Sequence, residues 1–477
     1  MPRNTAQQWV DANQASLTAL SDRIWELAEL GLQENESARL QEEYLRRQGF
    51  SIESGVAGMP SAFVATFVAG SGKPVIGFLG EYDALPGLSQ KPVPRKDPLA
   101  AGAPGHGCGH NLLGVAALAG AAAMKEAAVA GGLSVTIKYF GCPAEETLIG
   151  KVFMVRDGVM NGLDACLTWH PGSTNSVWSN SSAAMNSVKF NFYGRTAHAA
   201  GDPQNGRSAL DGVELMNVGA NYLREHVTEK TRIHYATTDG GGQPNVVPAK
   251  AQVWYYVRAP LRQEVEEVFE RLVDVARGAT LMTGTTFDMD FVAGCYNYLP
   301  NKAMGCLVQE NLKAIGAPQF TAEELAFAAE MEKSFPPNYR EIMMRDPHTP
   351  RELADQRLNN TVLPLRDDLP PMAGSTDVGD VSWVVPTVQF STACSVIGTP
   401  GHSWQECAAV GTSIGHKGMI LAAKVLAATA LDLVLDPAKL REAKEEFAAT
   451  TAGQPYKVPL PEGAKPPLDL LSRAKKA

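Results

Sequence analysis

The chain has 477 residues, a net charge of −9 at pH 7, and 45% apolar against 19% charged residues. A chain of this length exceeds what one hydrophobic core usually supports, so we expect two or three domains. The apolar content argues against intrinsic disorder, and the negative charge gives no general electrostatic footprint for nucleic acid.

The cellular setting is predicted from the first residues, the apolar stretches and the cysteines. The N-terminal segment is polar and amphipathic and shows no secretory signal. The longest apolar stretch, 419–435, contains Lys424 and Asp432, so it predicts a buried helix and not a membrane span. The seven scattered cysteines favour free thiols in a reducing compartment. We therefore expect a cytoplasmic protein with no membrane or nucleic-acid partner.

Apolar periodicity predicts alternating helices and strands in the first part of the chain. In chain order, the predicted elements are helices at 5–31 and 37–48, strands at 62–68 and 75–79, a helix at 112–130, and strands at 135–140 and 165–169. This alternation indicates an α/β architecture in which helices flank a mixed, mostly parallel sheet.

The middle of the chain has a different order of elements. It predicts a strand at 186–193, a helix at 207–226, strands at 232–238 and 251–258, a helix at 261–277, and a strand at 285–291. The order β-α-β-β-α-β is typical of the ferredoxin-like fold. We therefore expect residues 185–299 to form an inserted ferredoxin-like domain, and 1–184 together with 300–477 to form one α/β domain. Hinges near 184 and 300 would permit closure over a substrate.

The last part of the chain is less regular. Residues 315–372 are polar, contain prolines and are weakly periodic, which predicts a long excursion or a partly mobile segment. A strand is predicted at 383–391 and a long helix at 413–435, and the tail beyond 436 is charged and rich in proline.

Four short segments, at 105–110, 141–146, 168–171 and 398–403, concentrate side chains that bind metals. Cys, His and Glu are ligands of zinc and related divalent ions. Taken singly, each group also fits a structural role, such as a buried thiol in a turn or a core histidine. Two of the segments follow predicted strands, where open α/β sheets bind ligands. Together they favour two metal sites, with one carboxylate of the pair Glu145 and Glu146 left free as a base.

An ordered set of motifs carries a resemblance to a known family. The motifs are Gly80–Leu85, Gly107–Asn111, Cys142–Glu146, Thr168–Pro171, Ala197–Ala200, Pro244–Pro248, Ser375–Asp380 and Gly401–His402. On these motifs the sequence resembles the dinuclear metallopeptidase and amidohydrolase family of aminoacylases, glutamate carboxypeptidases and succinyl-diaminopimelate desuccinylase. It is most similar to the branch that contains indole-acetyl-amino-acid hydrolases and p-aminobenzoyl-glutamate hydrolases.

The resemblance implies a metal site and a catalytic base. Two divalent ions, zinc or manganese, would be bound in each protomer, and Glu145 would be the general base for the attacking water. Asp83 would orient one of the metal-binding histidines. Asp377 and Asp380 are weaker candidates for the same kind of support. The implied metal ligands are Cys108, His110, Glu146, His170 and His402.

The resemblance also implies residues that contact the substrate. His198 would reach the active site of the other protomer and stabilise the developing oxyanion. Asn245 and Arg258 would bind the substrate, and an Arg suits a carboxylate. Without the resemblance, His198 would be interpreted as a surface turn residue and Arg258 as part of a salt bridge on a strand face.

One segment departs from the branch. Where p-aminobenzoyl-glutamate hydrolases usually have a run of glycines before a lysine, this chain has Thr147-Leu148-Ile149-Gly150-Lys151. Bulkier apolar side chains beside the metals would reshape the pocket and change the acyl-group preference.

The expected activity is metal-dependent hydrolysis of the amide bond of an N-acyl or aminobenzoyl amino acid. The expected assembly is a homodimer, or a hetero-oligomer with a related chain. The alternatives are a dipeptidase of the same fold and a non-catalytic binding component of a hetero-oligomeric hydrolase. A redox role for the thiols is disfavoured because the sequence has no Cys-x-x-Cys motif.

Overall fold

The computed structural model describes residues 2–470. Its strands are β1 (Ser51–Ser54), β2 (Phe63–Ala69), β3 (Val75–Glu81), β4 (Val135–Cys142), β5 (Ala165–Leu167), β6 (His170–Gly172), β7 (Ser176–Val177), β8 (Ala184–Tyr193), β9 (Arg232–Asp239), β10 (Lys250–Ala259), β11 (Thr286–Cys295), β12 (Thr387–Val388) and β13 (Phe390–Ala393). Its α-helices are α1 (Pro2–Leu27), α2 (Asn35–Arg47), α3 (His110–Gly131), α4 (Gly150–Arg156), α5 (Ala209–Leu223), α6 (Arg262–Thr283), α7 (Lys302–Ile315), α8 (Ala322–Glu332), α9 (Tyr339–Arg345), α10 (Val378–Ser382), α11 (Trp404–Val410), α12 (Ser413–Leu435) and α13 (Pro437–Thr451).

A six-stranded mixed sheet, in the order β1-β2-β4-β3-β5-β12, forms the centre of the larger part of the molecule. The pairs β4-β3, β3-β5 and β5-β12 are parallel, while β1-β2 and β2-β4 are antiparallel. All residues of β3 are buried, as expected for a central strand covered on both faces. The predicted α/β architecture with a mixed, mostly parallel sheet is confirmed.

Two long apolar helices, α3 and α12, pack against each other in the largest core cluster. Gly120 on α3 permits the close approach, because a Cβ there would lie 2.9 Å from Cβ of Leu426 on α12. Both helices are long and apolar enough to span a membrane, but 83% of the most apolar stretch of each is buried. The prediction of a buried helix at 419–435 is therefore confirmed, and both are core helices of the fold.

A second sheet, of four strands in the order β11-β8-β10-β9, is antiparallel and carries α5 and α6 on one face. Burial alternates along β10, which places Tyr255 and Val257 in this sheet's own core and Tyr256 and Arg258 on the opposite face. The chain order β8-α5-β9-β10-α6-β11 confirms the predicted ferredoxin-like pattern. Cys295 pairs with Met185, so the chain enters and leaves this sheet at adjacent positions.

One prediction in the last part of the chain is wrong. The single strand predicted at 383–391 is instead two short strands that follow α10, because the chain passes from the six-stranded sheet at β12 into a separate three-stranded sheet at β13. The predicted excursion contains α8, which begins with a capping box of Thr321 and Glu324. The charged tail contains α13, where Asp436 caps a helix with proline in its first turn.

Candidate metal centre and active site

Carboxylate and imidazole side chains lie just after the ends of three neighbouring strands of the six-stranded sheet. Asp83 lies just after β3, the pair Glu145 and Glu146 follows β4, and His170 follows β5. Since β3, β4 and β5 are parallel, their carboxyl ends meet at one edge of the sheet. His110 joins them as the first residue of α3.

Cys108 lies at the centre of two groups of potential ligands. Its Sγ is 3.4 Å from Nε2 of His170, and His402 Nε2 is 3.3 Å from Glu146 Oε2. The ligand atoms of Cys108, His110 and His170 lie within 4.8 Å of one another, as do those of Cys108, Glu146 and His402. The structure therefore brings together all five predicted ligands, with the thiol shared between the two groups.

A third group joins His110 to Glu81 and Glu145. His110 Nε2 is 3.3 Å from Glu81 Oε2 and 3.9 Å from Glu145 Oε2. Glu145 thus lies beside the ligand groups. Glu81 was not singled out from the sequence, although it ends a fully buried strand, where a carboxylate is unusual.

The residues present fit divalent metal ions. Glu146 Oε1 is a buried atom without a hydrogen-bond partner among the described residues, and Glu81 Oε2 and His110 Nε2 have only their mutual approach at 3.3 Å. Buried polar atoms are nearly always paired, so these atoms at one site indicate a missing partner. Thiolate, imidazole and carboxylate together are the donor set of zinc and related cations.

Hydrogen bonds to the backbone and to Asp83 orient the histidines. Asp83 Oδ1 accepts from Nδ1 of His110 at 2.8 Å, and its Oδ2 accepts from the backbone N–H of Glu146 at 3.0 Å. Nδ1 of His170 donates to the carbonyl of Pro171 at 2.7 Å. In both histidines this leaves Nε2 facing the cluster, which is the usual arrangement of a metal-binding histidine.

The backbone around the cluster is strained. Ala144, Leu148 and His402 have φ values of 57°, 58° and 53°. Side-chain-bearing residues rarely adopt this left-handed conformation, and such residues concentrate at functional sites.

A buried ion-pair network lies beneath the cluster. Lys151 Nζ is 2.7 Å from Glu81 Oε1 and 2.5 Å from Asp377 Oδ1, and all three side chains are 0–2% exposed. The backbone N–H of Lys151 also donates to Asp377 Oδ2 at 2.8 Å. The structure thus gives Asp377 a definite contact, whereas Lys151 appeared in the sequence only as the end of the divergent segment.

Burial dominates the electrostatics of these groups. It raises the pKa of Glu145 well above its usual value, with Glu81 and Asp377 adding to the effect. It raises the pKa of Glu146 to about 7 and lowers the pKa of His170 to about 4. A bound cation would counteract the rise in the carboxyl pKa values and would accept the neutral imidazole.

A cavity of about 290 Å³ opens onto the cluster. Its walls include Trp178, whose ring stacks on His170 with centroids 5.7 Å apart, and Tyr256 from β10. Arg258 also lines it, donating to Ser375 Oγ at 3.3 Å, while its buried Nε has no partner among the described residues. Leu148, from the divergent segment, forms part of the wall.

His198 and Asn245 are placed together but away from this cavity. Ala199 N donates to the carbonyl of Asn245 at 3.0 Å, which joins the two segments at an exposed tip of the second sheet. Nδ1 of His198 accepts from the backbone N–H of Gly201 at 3.0 Å. Within residues 2–470, neither side chain lines the cavity at the metal cluster.

Comparison with known proteins places these features in a family. Residues 181–281, which include most of the second sheet, match a family model described as a peptidase dimerisation domain. The chain is 42% identical to one of the two component chains of p-aminobenzoyl-glutamate hydrolase of Escherichia coli, over 96% of this chain and 97% of the relative. It is 30% identical to Xaa-Arg dipeptidase of Mus musculus, over 93% of this chain and 92% of the relative.

Solved structures share the fold at low sequence identity. A crystal structure of aminobenzoyl-glutamate utilization protein from Klebsiella pneumoniae has a TM-score of 0.61 at 20% identity and covers 89% of this chain and 97% of its own. A dinuclear metal-binding peptidase of the M20 family from Bacillus subtilis has a TM-score of 0.55 at 15% identity, over 89% and 99% of the two chains. Given the identity over nearly the full length of its relatives, this chain belongs to the M20 family of peptidases and amidohydrolases, enzymes that hydrolyse amide bonds.

Proposed function

We propose that this enzyme is a metal-dependent amidohydrolase that releases an amino acid from an N-acyl or aminobenzoyl conjugate of the p-aminobenzoyl-glutamate type. The observation that carries the proposal is the convergence of five ligand-type side chains beside Glu145, in a cavity that also holds Arg258. The likeness to a component chain of p-aminobenzoyl-glutamate hydrolase supports this substrate class.

In the proposed mechanism, Cys108, His110, Glu146, His170 and His402 hold two divalent cations, zinc or manganese. The bound cations would polarise the amide carbonyl and lower the pKa of the attacking water. Glu145 accepts a proton from this water as its oxygen adds to the carbonyl carbon, and it delivers the proton to the amine when the C–N bond breaks. The products are a carboxylic acid and a free amino acid.

The remaining residues position the substrate. Arg258 binds the carboxylate of the amino-acid part, which places the amide near the cluster. His198 and Asn245 act on the active site of another protomer, where His198 stabilises the oxyanion. Trp178 and Tyr256 offer aromatic walls for the acyl group, and Leu148 narrows that region.

The proposed organisation follows the two sheets. Residues 1–184 and 300–477 form the catalytic domain, and 185–299 form a lid and dimerisation domain that hinges near 184 and 300. We propose a cytoplasmic homodimer or an assembly with a related chain. The other component chain of the Escherichia coli p-aminobenzoyl-glutamate hydrolase is 30% identical over 56% of this chain, which makes the second form worth testing.

Chelation and one substitution test the proposal together. Removal of metal should abolish hydrolysis of p-aminobenzoyl-glutamate, and Zn²⁺ or Mn²⁺ should restore it. Glu145→Gln should lower kcat by about 100-fold or more at unchanged metal content, because it removes the base and leaves all five ligands. Activity that survives complete metal removal, or a near-wild-type rate in Glu145→Gln, would contradict the mechanism.

A dipeptidase activity is the second candidate, favoured by the likeness to Xaa-Arg dipeptidase. A substrate panel separates the two, because a dipeptidase requires a free amino group on the acyl side of the scissile bond. Preferred cleavage of dipeptides over N-acyl amino acids would establish this alternative. A non-catalytic role is disfavoured by the presence of the complete ligand set and Glu145.

A further inference from the structure

A second cavity, of about 510 Å³, adjoins the one at the metal cluster. Arg258 and Met372 line both cavities, so the two spaces meet at these side chains. The second cavity lies between strands β9 and β10 and the segment 346–373. A molecule bound at the metal cluster could therefore extend past Arg258 into this space.

The second cavity is positively charged, in contrast to the chain as a whole. Lys230, Arg232 and Arg258 line it, and the acidic lining residue is Asp346. That carboxylate is already engaged, since its Oδ1 accepts from the backbone N–H and from Nδ1 of His348 at 2.9 and 2.7 Å. A net positive lining in a protein of charge −9 would attract anions.

The two arginines are held in an unfavourable pair. Arg232 on β9 lies directly opposite Arg258 on β10 in the antiparallel ladder. Like charges at such positions repel, because cross-strand Cβ atoms are only about 4.5–5.5 Å apart. Among the described residues, no carboxylate lies within 4.0 Å of either guanidinium or of the Lys230 ammonium. Arg232 donates only to the backbone carbonyls of Glu229 and Thr231.

We propose that this second cavity is a subsite for a second carboxylate of the substrate, remote from the scissile amide. The inference rests on the proposed amidohydrolase function and assigns the residues that would select an acidic amino-acid part of the substrate. Arg258 at the junction binds the carboxylate nearer the metals, and Arg232 with Lys230 binds the further one. A bound carboxylate would offset the repulsion between the paired arginines and provide a negatively charged acceptor.

The test compares two substrates that differ in one carboxylate. The double variant Lys230→Gln/Arg232→Gln should lower kcat/KM for p-aminobenzoyl-glutamate by about tenfold or more, and change kcat/KM for p-aminobenzoyl-alanine by less than about twofold. A matched control is Lys250→Gln/Lys313→Gln, which removes two exposed lysines that line neither cavity. An equal loss for both substrates, no loss for either, or the same loss in the control would overturn the subsite.

A binding measurement separates failure of the subsite from failure of the proposed function. If the wild-type enzyme hydrolyses neither substrate, the proposed function fails, and calorimetry with N-acetylglutamate and N-acetylalanine still decides the subsite. The subsite requires tighter binding of N-acetylglutamate by the wild type and loss of that preference in the double variant. Equal affinity of the wild type for the two ligands would refute it.

Discussion

At the scale of single residues, the ammonium group of Lys151 is the cation beneath the cluster. It is fully buried and lies between Glu81 and Asp377. Removing one member of such a network leaves the others charged and unpaired in a medium that solvates them poorly. Lys151 therefore offsets negative charge that would otherwise accumulate beside the proposed metal ligands.

Replacing Lys151 by Met should destabilise the protein strongly. We expect the free energy of unfolding to fall by about 3–5 kcal/mol, because two buried carboxylates lose their partner. Urea denaturation of the metal-free protein would measure the change. The matched control is Lys302→Met, which breaks an exposed pair with Asp367 and should have little effect. Equal destabilisation by the two substitutions would show that burial of the Lys151 pair is unimportant.

The sequence points to the proposed ligand residues more clearly than to the residues that support them. Cys108, His110 and His402 stand out because ligand types concentrate in short glycine-rich loops. The network of Glu81, Lys151 and Asp377 joins segments that are far apart in the chain, so local patterns do not reveal it. The signal that could have found it was a charged residue within an apolar stretch, as at Lys151 before Val152–Val155.

At the scale of elements, the turn between β4 and α4 contains Glu145 and Glu146. Its backbone conformation tolerates few substitutions. It contains the left-handed residues Ala144 and Leu148 and ends where α4 begins at Gly150. A Cβ at Gly150 would overlap the carbonyl oxygen of Pro143. Glycine at this position therefore lets α4 start directly beside the turn.

Gly150→Ala should move the turn and weaken metal binding. We expect lower metal content after dialysis and lower kcat, because Glu145 and Glu146 shift together with the displaced backbone. Metal analysis and steady-state kinetics would measure both quantities. Gly278→Ala is the matched control, since a Cβ there meets nothing within 4 Å, and it should stabilise α6 by about 0.5–1 kcal/mol. Unchanged metal content in Gly150→Ala would contradict this account of the turn.

Elements whose apolar residues recur with a clear period were predicted correctly. The short elements at which the chain passes from one sheet to another were not. In the ferredoxin-like unit, strand β10 alternates buried and partly exposed residues over its length. The segment 383–391 resembles one apolar run because the short strands β12 and β13 are both buried and follow each other closely. Periodicity does not separate such short buried pieces.

At the scale of the whole molecule, the exposed position of His198 makes a prediction about assembly. If His198 serves the active site of a second protomer, the single variants His198→Ala and Glu145→Ala should each be nearly inactive. A mixed dimer of the two should regain about half of the wild-type activity per dimer, because one of its two sites then combines an intact Glu145 with an intact His198.

Coexpression with two different affinity tags would isolate this mixed dimer. A mixture of separately purified variants that cannot exchange protomers is the control, and it should stay inactive. No recovery in a verified mixed dimer would place His198 in the site of its own protomer or outside catalysis.

The sequence predicts the fold of one protomer by its internal periodicity, but contacts between protomers leave no comparable pattern in one chain.

The pairing of Met185 with Cys295 has a consequence for how the two sheets can move. The chain crosses into the ferredoxin-like unit and out of it along two hydrogen-bonded neighbouring strands, β8 and β11. At this point β8 also pairs with β10, where Met185 lies opposite Arg258, so both crossings belong to the same four-stranded sheet. The lid closure proposed above would therefore require the chain to bend at these two neighbouring crossings together.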